Sequence, residues 1–265
     1  MKKLLIFLLL VLAMGASAQE IHTPSPADKI AKWKQAVVAS GKDSRMPEGR
    51  GATPLSEKDL AKFDFRKFWL SHYALGYTGH HYQRMTMTFE RVNKLSATEY
   101  AVSGFSRVNH HVCDFKGIFR IFEQGQYQEF SRGVDDAFVG KVKSQGYVLA
   151  EFLLEEDATQ KGSGVFRGVL RTGWYVNMKD EFLLDGIDSY SDRWSNNQFY
   201  GEWTSHKGGA PKPVAWGHFR IPMSGDLDMG AGEFSPADQY LDHGWREYRL
   251  VDRWMSDQLN KRYGR

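Results

Sequence analysis

The chain reads as a mainly β protein, an antiparallel up-and-down β-barrel of about 8 to 10 strands with N- and C-terminal helices. Three observations predict this. Apolar and polar residues alternate in about nine successive runs between Arg66 and Ile221, the period-two signature of half-buried strands. Short breaks separate the runs and no helical stretch intervenes, which favours antiparallel neighbours. Aromatic residues make up 14% of the chain beside 26 glycines, a composition suited to bulky interior groups and tight turns. So many strands in series remove their exposed edges most economically by closing into a barrel.

The elements follow in order. Lys2 and Lys3, the apolar run Leu4 to Leu12 and the small residues Ala16-Ser17-Ala18 form a secretory signal peptide over 1–18. The run is shorter than the ~20 apolar residues a bilayer span needs, so the mature chain is expected to carry no transmembrane segment. The expected location is secreted or periplasmic, after cleavage near Ala18. Cys113 is the only thiol, which excludes an intramolecular disulfide and leaves stability to the core. Setting aside the two signal lysines, 33 basic side chains face 32 acidic ones, and nothing in that balance calls for a nucleic-acid partner.

Residues 19–64 form a helical preface. Ser25 is placed as an N-cap with Pro26 at the first helical position, followed by Ile30, Trp33 and Val37 on one face. A second start lies at Ser56. The barrel occupies 65–222. Met85, Met87 and Phe89 share one face, as do Phe115, Phe119 and Ile121, and Phe166, Leu170, Thr172 and Trp174. Further runs lie near 66–76, 99–108, 147–154, 182–187, 198–205 and 214–221. Pairing 82–91 with 99–108 so that Arg91 opposes Glu99 also sets Met85 against Phe105 and His80 against His110. Residues 223–265 hold a Gly/Asp loop and a C-terminal helix. Ser235-Pro236-Ala237-Asp238 repeats the tetrapeptide at Ser25, and Leu241, Trp245, Tyr248, Met255 and Leu259 recur at helical spacings around Gly244.

"QFYGEWTSH", with Gly201 and Trp203 among glycine-punctuated strands, resembles the Gly-x-Trp signature of the calycin superfamily of lipocalins and avidins, whose members carry it on the first strand. "GYTGHHYQRM" and "WGHFRIPMSGDLDMGAGEF" are similar to stretches of secreted bacterial proteins without an assigned activity. The resemblance covers 66–234 and implies a ligand-holding barrel; it carries over no functional residues.

Four features carry candidate chemistry. Asp226, Asp228 and Glu233 in a Gly-rich loop beside Arg220 match half of a calcium-loop pattern or a pair of hydrolytic carboxylates; the alternative is a turn in which Arg220 pairs with one of them. His80 and His110 are two potential zinc ligands of the four such a site needs. Cys113 follows a histidine pair, yet shares parity with the core residues Phe115 and Phe119. Trp69, Tyr82, Arg84, Trp174, Trp203 and Trp216 are candidate ligand-binding residues, the rings as cavity lining and Arg84 as an anchor for an anionic head group. No Gly-x-Ser-x-Gly, His-Glu-x-x-His or phosphate-cradling motif is present. The expected function is binding of a small, partly apolar ligand, with a glycan as a further possible partner and no cofactor beyond calcium or zinc. A carbohydrate-active or metal-assisted hydrolase built on Asp226, Asp228 and Glu233, and a structural or adhesive envelope protein, are the alternatives.

Overall fold

The structure, a computed structural model, describes residues 24–39, 51–192 and 194–248, and for 39 and 71–73 the backbone alone. The expected signal segment lies outside these residues, as do Met255 and Leu259 of the expected C-terminal stripe. The elements are α1 (Ala27–Ala39), β1 (Ala52–Pro54), α2 (Glu57–Leu60), α3 (Arg66–Trp69), β2 (Ser71–Thr78), β3 (Gln83–Lys94), β4 (Glu99–Val108), β5 (His111–Tyr127), β6 (Val142–Glu156), β7 (Gly164–Asn177), β8 (Phe182–Leu184), β9 (Asn196–Ser205) and β10 (Lys212–His218). Pairing runs β5-β4-β3-β2-β10-β9-β7-β6 and returns from β6 to β5, closing eight antiparallel strands into a barrel. β1 and β8 add short outer pairings to β5 and β7. Among the described residues no helix is long and apolar enough to cross a membrane.

Side-chain alternation fills the barrel. Met85, Met87, Phe89, Phe115, Phe119, Phe152, Phe166, Leu170, Trp174 and Trp216 belong to one buried cluster. Rings from five walls meet across the axis: Phe199 lies 5.9 Å from Phe89, 5.8 Å from Phe119, 5.7 Å from Phe152 and 4.8 Å from Trp216. Gly168 makes room for this packing, since a Cβ there would sit 2.4 Å from the tip of the Phe152 ring.

One end of the barrel, here the lower, is made by the turns 79–82, 109–110, 157–163 and 206–211. The upper end is stoppered by the segment carrying α2 and α3. Leu60, Phe65, Phe68 and Trp69 enter the core there, with Phe65 stacked on Trp69 at 5.2 Å and edge-on to Tyr100 at 6.3 Å. Ser56 caps α2 as expected, accepting from the Asp59 amide at 3.1 Å. The apolar run at Arg66 opens as a helical turn rather than a strand, and β2 begins only at Ser71.

Two elements cover the outer wall. The apolar face of α1 puts Trp33 and Val37 against Leu149 and Val169. A strap following β10 packs Ile221, Leu227, Phe234 and Trp245 onto Tyr77 and Ala215. The repeated Ser-Pro-Ala-Asp tetrapeptide behaves differently in its two places. At the first, α1 starts at Ala27, while the Ser25 hydroxyl is buried without a partner among the described residues and its amide donates to Glu151 at 2.6 Å. At the second, Pro236 bridges to Asp228 and a 3-10 turn spans Asp238–His243, ended by Gly244 at φ 89°. That turn stops because a left-handed glycine follows it within seven residues, whereas the first copy runs into an uninterrupted helix-forming stretch.

The β3–β4 register differs from the charge-paired one. Met85 opposes Val108 and Arg91 opposes Ser103, with a bulge between Phe89 and Arg91. Glu99 instead meets Arg120 across β5 at 3.0 Å. β3 runs on to Lys94, so the turn sits at 95–98 and the whole pairing moves; Phe105 consequently faces outward, directly opposite Thr88.

Candidate functional site

The six residues proposed to hold a ligand separate into three places. Trp69, Trp174 and Trp216 are buried in the core, Trp69 donating to Thr172 Oγ1 at 2.8 Å. The indole N–H groups of Trp174 and Trp216 have no partner among the described residues. Trp203 closes the lower end, donating to Glu156 at 2.9 Å. Tyr82 and Arg84 lie with the strap: Tyr82 is edge-on to Tyr240 at 5.1 Å, and Arg84 Nη1 donates to the Gly244 carbonyl at 3.1 Å.

The Gly/Asp loop is organised by its own arginine. Buried Arg220 pairs with Asp228 and donates to the carbonyls of Gly230, Ala231 and Gly232. The other Asp228 oxygen accepts from the amides of Gly230 and Ser235, both at 3.1 Å. A Cβ on Gly230 would fall 1.7 Å from the Glu233 carbonyl oxygen, so only glycine closes this loop. Asp226 accepts from Gln239 and Tyr240 at 2.7 and 2.8 Å, and Glu233 is exposed. The carboxylates are thus turned to separate tasks. His80 and His110 are exposed on neighbouring lower turns. Among the described residues no three His, Cys, Asp or Glu side chains gather as a metal would require.

Two buried polar clusters were not visible in the sequence reading. At the lower end Glu156 accepts from Ser106, from Trp203 and from the Gly164 amide at 2.8 Å. Burial pushes its carboxyl above the usual range, against the pull of these donors. Cys113 nearby is driven up to about 11 by burial first and then by Glu156, Asp114 and Asp157, which disfavours the thiolate that nucleophilic chemistry needs. At the upper end Thr172 donates to Asn197 at 2.8 Å, and Asn197 donates to the Phe68 carbonyl at 2.7 Å. His218 beside it is held neutral by burial, its pKa below the ordinary value. Three consecutive amides, Asn196, Asn197 and Gln198, break the alternation at the start of β9 and were the available signal.

Two surface cavities lie among the described residues. One, of about 740 Å³, lies at the upper end between the stopper and β8. Of its three cations, Lys62 pairs with Asp59 at 2.7 Å and Arg66 with Asp64 at 2.6 Å, while Lys67 lies 5.5 Å over the Phe68 ring. The other, of about 650 Å³, is a groove between the outer wall of β3 and β4 and the strap residues 241–247. Its floor consists of two cross-strand pairs, Thr86 with Arg107 and Thr88 with Phe105. Its strap side is fixed in place: Gln83 donates to the His243 carbonyl at 2.7 Å and Trp245 to the Tyr82 carbonyl at 2.7 Å. A preformed concavity with an aromatic ring, two hydroxyls and guanidinium groups has the make-up of a small-ligand site.

Compared with protein-family models, with curated proteins and with solved structures, the chain matches none.

Proposed function

We propose that this protein is a binding protein of the secreted or periplasmic space that holds a small, partly apolar ligand on the outside of its barrel. The observation that carries this reading is the groove floored by Thr86, Thr88, Phe105 and Arg107 and walled by the pinned strap. The calycin-like resemblance supports the choice of a ligand-binding barrel; the aromatic packing across the axis favours the outer wall over the interior as the binding surface. The barrel then serves as a rigid scaffold, which keeps the groove's two strand pairs at fixed spacing.

The test is a titration of the ¹⁵N-labelled protein with a panel of eight-carbon amphiphiles bearing negative, positive or no charge. Saturable shifts are expected at the amides of Thr86, Thr88, Phe105 and Gly244. Phe105→Ala should weaken the bound compound by about 1–2 kcal/mol, the worth of part of a phenyl face removed from contact. Shifts centred instead on Phe119 and Trp174 would return the site to the barrel axis, and a panel that leaves the groove amides unmoved would refute the proposal.

A further inference from the structure

We infer that the groove takes an anionic head group carried on an apolar body, and that Arg107 is the residue that receives the charge. The inference rests on the reading of the groove as the ligand site. Its lining holds three arginines, Arg84, Arg107 and Arg246, against two carboxylates, Asp242 and Glu247. Both carboxylates are engaged on the strap side: Asp242 by Arg246 at 2.6 Å and Glu247 by Arg84 at 3.7 Å. Arg84 is also tied to the Gly244 carbonyl. Arg107 enters no ion pair among the described residues, and it projects from the floor beside the Thr86 hydroxyl on the opposing strand. One guanidinium therefore stands in excess in the groove lining, which also holds His110 and takes apolar surface from Phe105 and Leu241.

Charge complementarity selects among occupants. A cation would be repelled by that excess, and a neutral body would displace water from Arg107 without replacing its hydrogen bonds. A carboxylate or a phosphate monoester offers the acceptor pair that a guanidinium fork matches.

The experiment uses the full mature chain with octanoate, octyl phosphate, octanol and octyltrimethylammonium, reading the groove amides by NMR and affinity by calorimetry. The two anions are expected to bind at least about tenfold more tightly than octanol, a margin that charge-assisted hydrogen bonds supply. That margin should shrink as salt is raised toward about 1 M, where screening is nearly complete over a few ångströms. Arg107→Gln, an exposed change, should lower the anions to the level of octanol without weakening octanol itself; a merely structural role for Arg107 would weaken all compounds together. Octanol or the cation matching the anions, with the groove amides shifting, would overturn the anionic assignment and leave the groove as a binding site. If no compound shifts those amides, both the assignment and the groove reading fall.

Discussion

Replacing Phe65 by alanine distinguishes a barrel whose interior is part of one core from a barrel with a removable stopper. Phe65 is fully buried and packs against Phe68, Trp69, Tyr100 and Phe182 at centroid distances of 5.9, 5.2, 6.3 and 5.1 Å. Deleting a phenyl ring from such surroundings costs about 3–5 kcal/mol, from lost transfer energy and from the void left behind. In a chain of this size each kcal/mol lowers Tm by about 2–4 °C, so a fall of about 6–20 °C is expected. Leu60, Phe65, Phe68 and Trp69 are four large side chains almost wholly withdrawn from water, worth about 1.5–3 kcal/mol each. Lifting them out together costs about 6–12 kcal/mol, as much as an entire domain's stability of about 5–15 kcal/mol. A stopper that expensive does not swing open in the native state. Urea unfolding followed by far-UV circular dichroism measures the effect, with Leu70→Ala, at an exposed neighbour, as the control expected to cost under about 0.5 kcal/mol. A Phe65→Ala loss below about 1 kcal/mol would refute the reasoning and reopen the barrel axis as a binding space.

Two further outcomes follow from buried charge. Asp228→Asn removes the carboxylate from a buried pair and leaves Arg220 among carbonyls alone, for an expected loss of about 3–5 kcal/mol in denaturant unfolding; a loss near zero would mean the 219–235 loop is held otherwise. Glu156 has a raised pKa in the folded state, so the folded protein binds this proton more tightly than the unfolded chain does. Its contribution to stability therefore grows as pH falls through the folded-state pKa, is complete below the unfolded value of about 4.3, and is lost as pH rises. Glutamine at this position can accept from Trp203 and Gly164 and donate to Ser106. Glu156→Gln should accordingly fold and show a smaller gain in stability on acidification from pH 8 to pH 5 than the native protein; parallel pH profiles of the two would count against the assignment.

The strands were legible because each reports its own burial. Phe166, Leu170, Thr172 and Trp174 are all buried on β7 as their parity requires, and Cys113 falls on the inner face with Phe115. What alternation does not encode is where a strand stops. β3 continues through Glu90 and Arg91, a polar pair made possible by a bulge that inserts one residue and re-aims the rest. With the turn displaced to 95–98, the register inferred from one attractive charge pair moved by three residues at Met85 and by four at Arg91, the bulge adding one. β1 was hidden for a related reason: three residues ending in proline read as loop, yet at a barrel rim they find the free edge of β5 at Gly125–Tyr127.

Site residues were less legible because a site joins chain segments that no local pattern links. Arg84 could be assigned to the face opposite the methionines, but the strap that walls its groove lies about 160 residues away in sequence. The tryptophans teach the converse lesson. A large ring at an inward position is equally consistent with lining a space and with filling it, and the choice depends on the barrel's width. Eight strands enclose an interior just wide enough for side chains to fill; where the inward set is small, a ligand fits, and where it is phenylalanine and tryptophan from facing walls, the rings reach one another. Here Phe152 and Trp216, on β6 and β10, stand 4.9 Å apart and both meet Phe199. It is therefore the inward rings, not the strand count, that fill this barrel, and the proposed groove lies on the outer wall, where a polar side chain such as Arg107 can change without disturbing the packing within.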